Sequence, residues 1–151
     1  PANSKKDDRS MEIAERYAKA GASVVHLADT TGMANPAQVE RLARRVKDSL
    51  PQITLGLHLH NTRGAGIANA LAGLYAGVTE FESSIGGLGG CPYADGASGN
   101  VATEDVVYLM QGLGIETGVD LEALMDCAEW ISAELDRPAG AHVTRARRGG
   151  A

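Results

Sequence analysis

The sequence predicts an α/β fold on parallel strands, either an open wound sheet or part of a (β/α)8 barrel, and three observations carry that expectation. Strand-like runs such as Ser23 to Ala28 and Ile53 to His60 alternate with stretches of helical spacing. No hairpin signal joins one strand to the next, so each return runs through a helix and leaves the strands parallel. Polar residues collect at the C-terminal ends of the strands, where barrel enzymes keep their active-site groups, and this favours the barrel.

Taken in order, Asp8 to Ala20 reads as a helix with Ile13, Ala14, Tyr17 and Ala18 on one face and Gly21 as its stop. A β-branched, apolar strand follows at Ser23 to Ala28 and enters the polar loop Asp29-Thr30-Thr31-Gly32. Asn35 and Pro36 supply an N-cap and an N1 proline for a helix carrying Val39, Leu42, Ala43 and Val46, which breaks at Pro51. Ile53 to His60 alternates at the strand period: Ile53, Leu55, Leu57 and Leu59 form an apolar face, and Thr54, Gly56, His58 and His60 a small, polar one. A helix from about Gly64 to Ala76 turns Ile67, Ala70, Leu71 and Leu74 inward. The third unit has a strand near Val78 to Ile85, a loop from Gly86 to Asn100, and a helix capped by Thr103. A last helix starts at the Asp120 cap with Leu121, Leu124, Ala128, Ile131 and Leu135 as its buried stripe, and the chain from Pro138 reads as unstructured. Residues 1–136 thus read as one partial-barrel domain and 137–151 as a flexible basic tail. Three strands are countable where a closed barrel needs eight, so the chain is expected to be a fragment or to complete its sheet with something else.

At 151 residues, 44% hydrophobic and 22% charged, the composition suits a globular domain with a sizeable core. The net charge of −5 is relieved only by Arg145, Arg147 and Arg148 at the tail, which argues against nucleic-acid or membrane partners. With only Cys91 and Cys127, neither a disulfide framework nor a cysteine-based zinc site is indicated. The simplest setting for so few cysteines is a reducing cytosol. No apolar run approaches the roughly 18 residues of a membrane span.

His58 and His60, two apart on one strand, project from the same face and can reach one cation. A lone histidine is usually a satisfied core residue; a pair at this spacing at a strand end favours metal. With two imidazoles and oxygen donors open, Mg²⁺ or Mn²⁺ fits as well as Zn²⁺. The run from Gly86 to Asn100 holds six glycines around Cys91-Pro92-Tyr93, more specific than a linker requires. Cys91 reads equally as a proton-transferring thiol on a mobile loop or as a small buried filler. No Gly-x-Gly-x-x-Gly opens into a helix after the first strand, which disfavours a dinucleotide loop.

Four segments together resemble the 3-hydroxy-3-methylglutaryl-CoA lyase family: Gly87-Leu88-Gly89-Gly90-Cys91-Pro92-Tyr93-Ala94, Gly96 to Asp105, His58-Leu59-His60-Asn61-Thr62 and Asp29-Thr30-Thr31-Gly32. The histidine pair alone would admit the wider group of metal-dependent barrel lyases and Claisen synthases, and the cysteine loop narrows it. The resemblance implies the C-terminal half of a TIM barrel, roughly its last three strand–helix units and a C-terminal helix. It implies a divalent cation, Mg²⁺ or Mn²⁺, held by His58, His60 and Asn100. It makes Cys91 the thiol of proton transfer, lets Asp29 line the active site, has Glu104 support the ligands from behind, and gives Gly87, Gly89 and Gly90 to a substrate loop. The implied partner is an acyl-CoA substrate, with a second copy or the missing N-terminal half completing the assembly. The family's first strand supplies an Arg-Asp pair that this sequence lacks; Asp8-Arg9 has the opposite order on a helix start. Competing expectations are a lyase for a bulkier 3-hydroxyglutaryl-CoA, a Claisen-type synthase, and an inactive half-barrel that binds a metal or a partner.

Overall fold

The computed structural model describes residues 4–90, 99–138 and 140–149. Three strands, β1 (Val24–Asp29), β2 (Thr54–Leu59) and β3 (Glu80–Glu82), form one parallel sheet in that order. Helix α1 (Ser4–Lys19) precedes β1, α2 (Pro36–Ser49) connects β1 to β2, and α3 (Gly66–Tyr75) connects β2 to β3. Helices α4 (Thr103–Gly112), α5 (Leu121–Glu134) and α6 (His142–Arg148) complete the described chain. The result is an α/β arc of a TIM-like barrel, with a sheet that does not close among the described residues.

The alternation read in the sequence orients the whole arc. Leu55, Leu57 and Leu59 are buried with Ala43 and Val46 of α2 and Ala70 of α3 in one apolar cluster. Each such leucine contributes about 1.5–3 kcal/mol by leaving water. Small residues let α3 lie close: a Cβ on Gly73 would sit 2.2 Å from Leu57 Cδ1. At its start α2 is built as expected, since Asn35 has extended backbone and its side chain accepts from the Gln38 N–H at 3.0 Å, with Pro36 following. Asp120 caps α5 in the same way, accepting from the N–H groups of Glu122 and Ala123.

Several elements differ from the sequence reading, each for a non-local reason. Helix α1 begins earlier and buries Asp7, Met11 and Ala14, leaving Ile13 39% and Tyr17 57% exposed. Asp7 is drawn inward by Arg41 of α2, whose guanidinium donates to it at 2.8 Å, and this rotates the helix face. β3 is short because Val78 N–H bonds back to Gly73 O, while Ser84 pairs with the chain beyond the glycine loop through Ser84 N to Val101 O and Thr103 N to Ser84 O. Thr103 does not cap α4; that position is Ala102, and the Thr103 hydroxyl accepts from Ser83 Oγ at 2.9 Å. The buried stripe of α5 is Met125, Ala128 and Ser132, and Leu135 is exposed, because the helix turns toward α4, α6 and the 3-10 turn Ile85–Gly87.

Where the sequence predicts an unstructured end, the structure has α6. Its start is held by Asp105 of α4, whose carboxylate accepts from His142 N at 3.1 Å and Val143 N at 2.9 Å. Arg147 then pairs with Glu122 and Asp126 of α5. Asp105→Ala removes the partner of two backbone donors, and it is expected to cost about 2 kcal/mol locally. Hydrogen exchange of residues 142–148 should accelerate about tenfold or more in this variant; unchanged protection would assign the anchoring of α6 to Arg147 instead.

Candidate active site

Strand register assembles the polar face of the sheet. His26, Gly56 and Glu80 lie side by side across the strands, and Ala28, His58 and Glu82 form the next row. His58 thus meets Glu82 directly, its Nδ1 lying 2.9 Å from Glu82 Oε2. The His26 ring crosses over Gly56, where a Cβ would come within 2.0 Å of it, and approaches Glu82 Oε1 and Glu80 Oε2 at 3.8 Å each.

His58 and His60 stand together as their spacing predicts, ring centroids 5.3 Å apart and tilted by 52°. Asn100 joins them from the far side of the glycine loop through an antiparallel bridge between His60 and Asn100. Its Nδ2 donates to Leu88 O at 2.9 Å, which leaves Oδ1 as the free acceptor. Both Asn100 Oδ1 and His60 Nδ1 are buried without a hydrogen-bond partner. Buried polar atoms are almost always satisfied, and two orphans on adjoining residues beside a second imidazole suit a cation better than they suit packing. Among the described residues no group of three or more His, Cys, Asp or Glu is arranged to hold a metal. Burial lowers the pKa of His60, and the neighbouring His58 adds to this; the charge of Asp29 and the Asn100 side chain oppose it. Both leading causes favour the neutral ring, which is the form that ligates.

Asp29 ends β1 beside Leu59. Its two carboxylate oxygens accept from the Met33 and Ala34 N–H groups at 3.0 and 3.1 Å and so fold the loop that opens α2. Glu104 is fully buried, and both its oxygens take the Gly86 N–H, at 2.9 and 3.0 Å. Burial raises its pKa, with the Glu104 and Gly86 backbone donors opposing and Asp105 adding to the rise. Its hydrogen bonds therefore hold the loop and touch none of the three expected ligands.

The glycines have steric reasons. Gly89 has φ +100°, and a Cβ there would lie 2.7 Å from Asn100 Nδ2. Gly99 has φ +125°, with a Cβ position 2.4 Å from Gly87 O. Only glycine allows the two arms of the loop to pass this closely and seat Asn100. Gly87 faces Asn100 O, and Gly90 is exposed. Cys91 lies outside the described residues; Cys127 is exposed on α5. The sequence reading missed Glu82, His26 and Arg63. The strand alternation that singled out His58 applies equally to Glu80 and Glu82, but the pairing needs the register. Arg63, which donates to Thr31 O at 2.8 Å and ties two strand-end loops, left no signal in the sequence.

The HMGL-like family model matches residues 2–131. The chain belongs to that family. An (R)-citramalyl-CoA lyase of Chloroflexus aurantiacus is 50% identical to this family member over 139 residues, covering 92% of the chain and 44% of the relative. A hydroxymethylglutaryl-CoA lyase of Bacillus subtilis is 44% identical over 131 residues, covering 87% of the chain and 44% of the relative. A solved HMG-CoA lyase from Acenitobacter baumannii, in complex with coenzyme A and 3-methylmalate, superposes with a TM-score of 0.84 at 44% identity, covering 91% of this chain and 45% of that one. The chain thus spans less than half the length of these HMGL-like relatives.

His58→Ala and His60→Ala are each expected to weaken Mn²⁺ binding by tenfold or more in calorimetric titration; unchanged affinity in both would remove the histidines from the site. Because only the neutral ring binds and the folded chain disfavours protonation of His60, affinity should hold above ~6.5 and decline as pH falls below it.

Proposed function

We propose that this chain is the C-terminal half of a divalent-cation-dependent carbon–carbon lyase. Its substrate is 3-hydroxy-3-methylglutaryl-CoA, and its products are acetyl-CoA and acetoacetate. The observation that carries the reading is the meeting of His58, His60 and the orphaned Asn100 oxygen beside the glycine loop, in a chain of the HMGL-like family.

Mg²⁺ or Mn²⁺, when bound, would supply positive charge to the substrate's hydroxyl and carboxylate oxygens and ease loss of the hydroxyl proton. His58, His60 and Asn100 would hold it. Asp29 keeps the neighbouring strand-end loop folded and biases the charge state of His60. Glu104 fixes the start of the glycine loop through Gly86. As the hydroxyl proton passes to solvent or to a base of the remaining barrel, the C3 oxygen becomes a carbonyl, the bond between C2 and C3 breaks, and the bonding pair passes to the thioester fragment as an enolate. Cys91 delivers the proton that turns this enolate into acetyl-CoA. Gly87, Gly89 and Gly90 let the loop backbone approach the substrate. The Arg-Asp pair that the family resemblance assigns to the first strand comes from the part of the barrel not represented in this sequence.

One relative favours a second reading. The (R)-citramalyl-CoA lyase shares 50% identity, and its substrate is one methylene shorter on the carboxylate side. The same cleavage would then yield pyruvate in place of acetoacetate.

The deciding assay joins this chain to N-terminal barrel strands of an HMGL-like enzyme and measures acetoacetate from hydroxymethylglutaryl-CoA against pyruvate from citramalyl-CoA, with Mg²⁺ present. Cys91→Ser should lower kcat by about 10²-fold, the scale of a lost general acid, and Cys127→Ser should leave it unchanged. Equal effects of the two would remove the loop thiol from the reaction. The 151-residue chain alone is expected to read blank and to sediment as a dimer or larger, since a three-stranded parallel sheet that does not close among the described residues invites pairing at its edges. A monomer that turns over at an enzymatic rate would overturn the half-barrel reading.

A further inference from the structure

We propose that Glu82 is a positioning residue: its carboxylate accepts a hydrogen bond from the Nδ1–H of His58 and so presents the Nε2 lone pair of that ring to the cation. This rests on the reading of His58 as a cation ligand and goes beyond it by assigning which ring nitrogen binds and what selects it.

The argument begins with register. Glu82 is the Cα partner of His58 on the neighbouring strand, so the two side chains leave the same face of the sheet side by side. The Nδ1 to Oε2 separation of 2.9 Å is a hydrogen bond. A carboxylate can only accept, so the proton lies on Nδ1. In the neutral imidazole that leaves the lone pair on Nε2. A ligating histidine is commonly fixed in this way, its remote N–H given to a carboxylate, and such partners carry about 10–100-fold in metal affinity.

The second oxygen of Glu82 faces another imidazole at a longer distance. His26 Nδ1 approaches Oε1 at 3.8 Å, and His26 Nε2 lies 3.8 Å from Glu80 Oε2. The His26 ring reaches this place because position 56 has no side chain to obstruct it. One carboxylate thus stands between two imidazoles, and only the His58 contact is short enough to donate.

A purely structural role would predict something different. The His58 and Glu82 side chains are 32% and 50% exposed, and an ion pair at such exposure adds little to stability. Glu82 variants should therefore fold normally and reveal themselves in the ring's tautomer and in metal affinity.

The test uses the 151-residue chain labelled with ¹⁵N-histidine. Metal-free long-range ¹H–¹⁵N spectra above the imidazole titration should show His58 protonated on Nδ1. Glu82→Leu should shift it toward the Nε2-protonated form, and Glu82→Gln, which keeps an acceptor oxygen, should restore the original pattern. Calorimetric titration with Mn²⁺ should then lose about 10–100-fold in Glu82→Leu and clearly less in Glu82→Gln, with thermal unfolding as the check on folding. An unchanged His58 tautomer, or full Mn²⁺ affinity in Glu82→Leu while His58→Ala loses it, overturns the proposal and leaves the cation reading intact. Full affinity in His58→Ala strikes the cation reading itself.

Discussion

The register of β2 between its two neighbours is the constraint on which the rest depends. A strand with period-two alternation has one chance to be right: slipped by one residue, Leu55, Leu57 and Leu59 would face water and His58 would enter the core. Pairing Thr54 with Val24 and Gly56 with Glu80 sets both faces together. Burial of the leucines against α2 and α3 supplies the free energy, and the polar row opposite receives its geometry as a result. The histidines are accurately placed because the leucines behind them are.

Depth within the site is graded along the same strand. His58 is half-exposed and finds its partner in another side chain. His60, two residues on, is buried, has an unsatisfied nitrogen, and is closed over by the returning chain at Asn100. The glycine loop makes that return possible. Its near arm is held by Glu104 through Gly86, and Gly86 O in turn accepts from Gly140 N at 2.9 Å, which ties the C-terminal segment to the site's rim. Burial of the Glu104 carboxylate is tolerated because the backbone donates into it.

What was legible in the sequence was whatever repeats locally. The alternation from Ile53 to His60, the Asn35-Pro36 and Asp120 caps, and the strand–helix order each arise from neighbouring residues, and the sheet, α2 and α5 begin where those signals stand. The histidine pair stands together and Asn100 bridges to His60, while Cys91 lies outside the described residues. The parts that were not legible depend on partners far along the chain. Asp105 starts α6 from 37 residues upstream, and Arg41 turns the face of α1 by drawing in Asp7 from 34 residues away. Glu82 belongs with these: it looks like an ordinary exposed acid until the strands are laid side by side.

Gly56 carries a consequence beyond this molecule. Its missing side chain is the room in which the His26 ring lies, so positions 26 and 56 share one volume divided unequally between two strands. Among descendants of a common ancestor a change at one such position bears on what the other can hold. A lineage that gains bulk at 56 must turn the imidazole at 26 to another rotamer or replace it, and an aligned set of homologues should record the replacements as correlated substitution across β1 and β2.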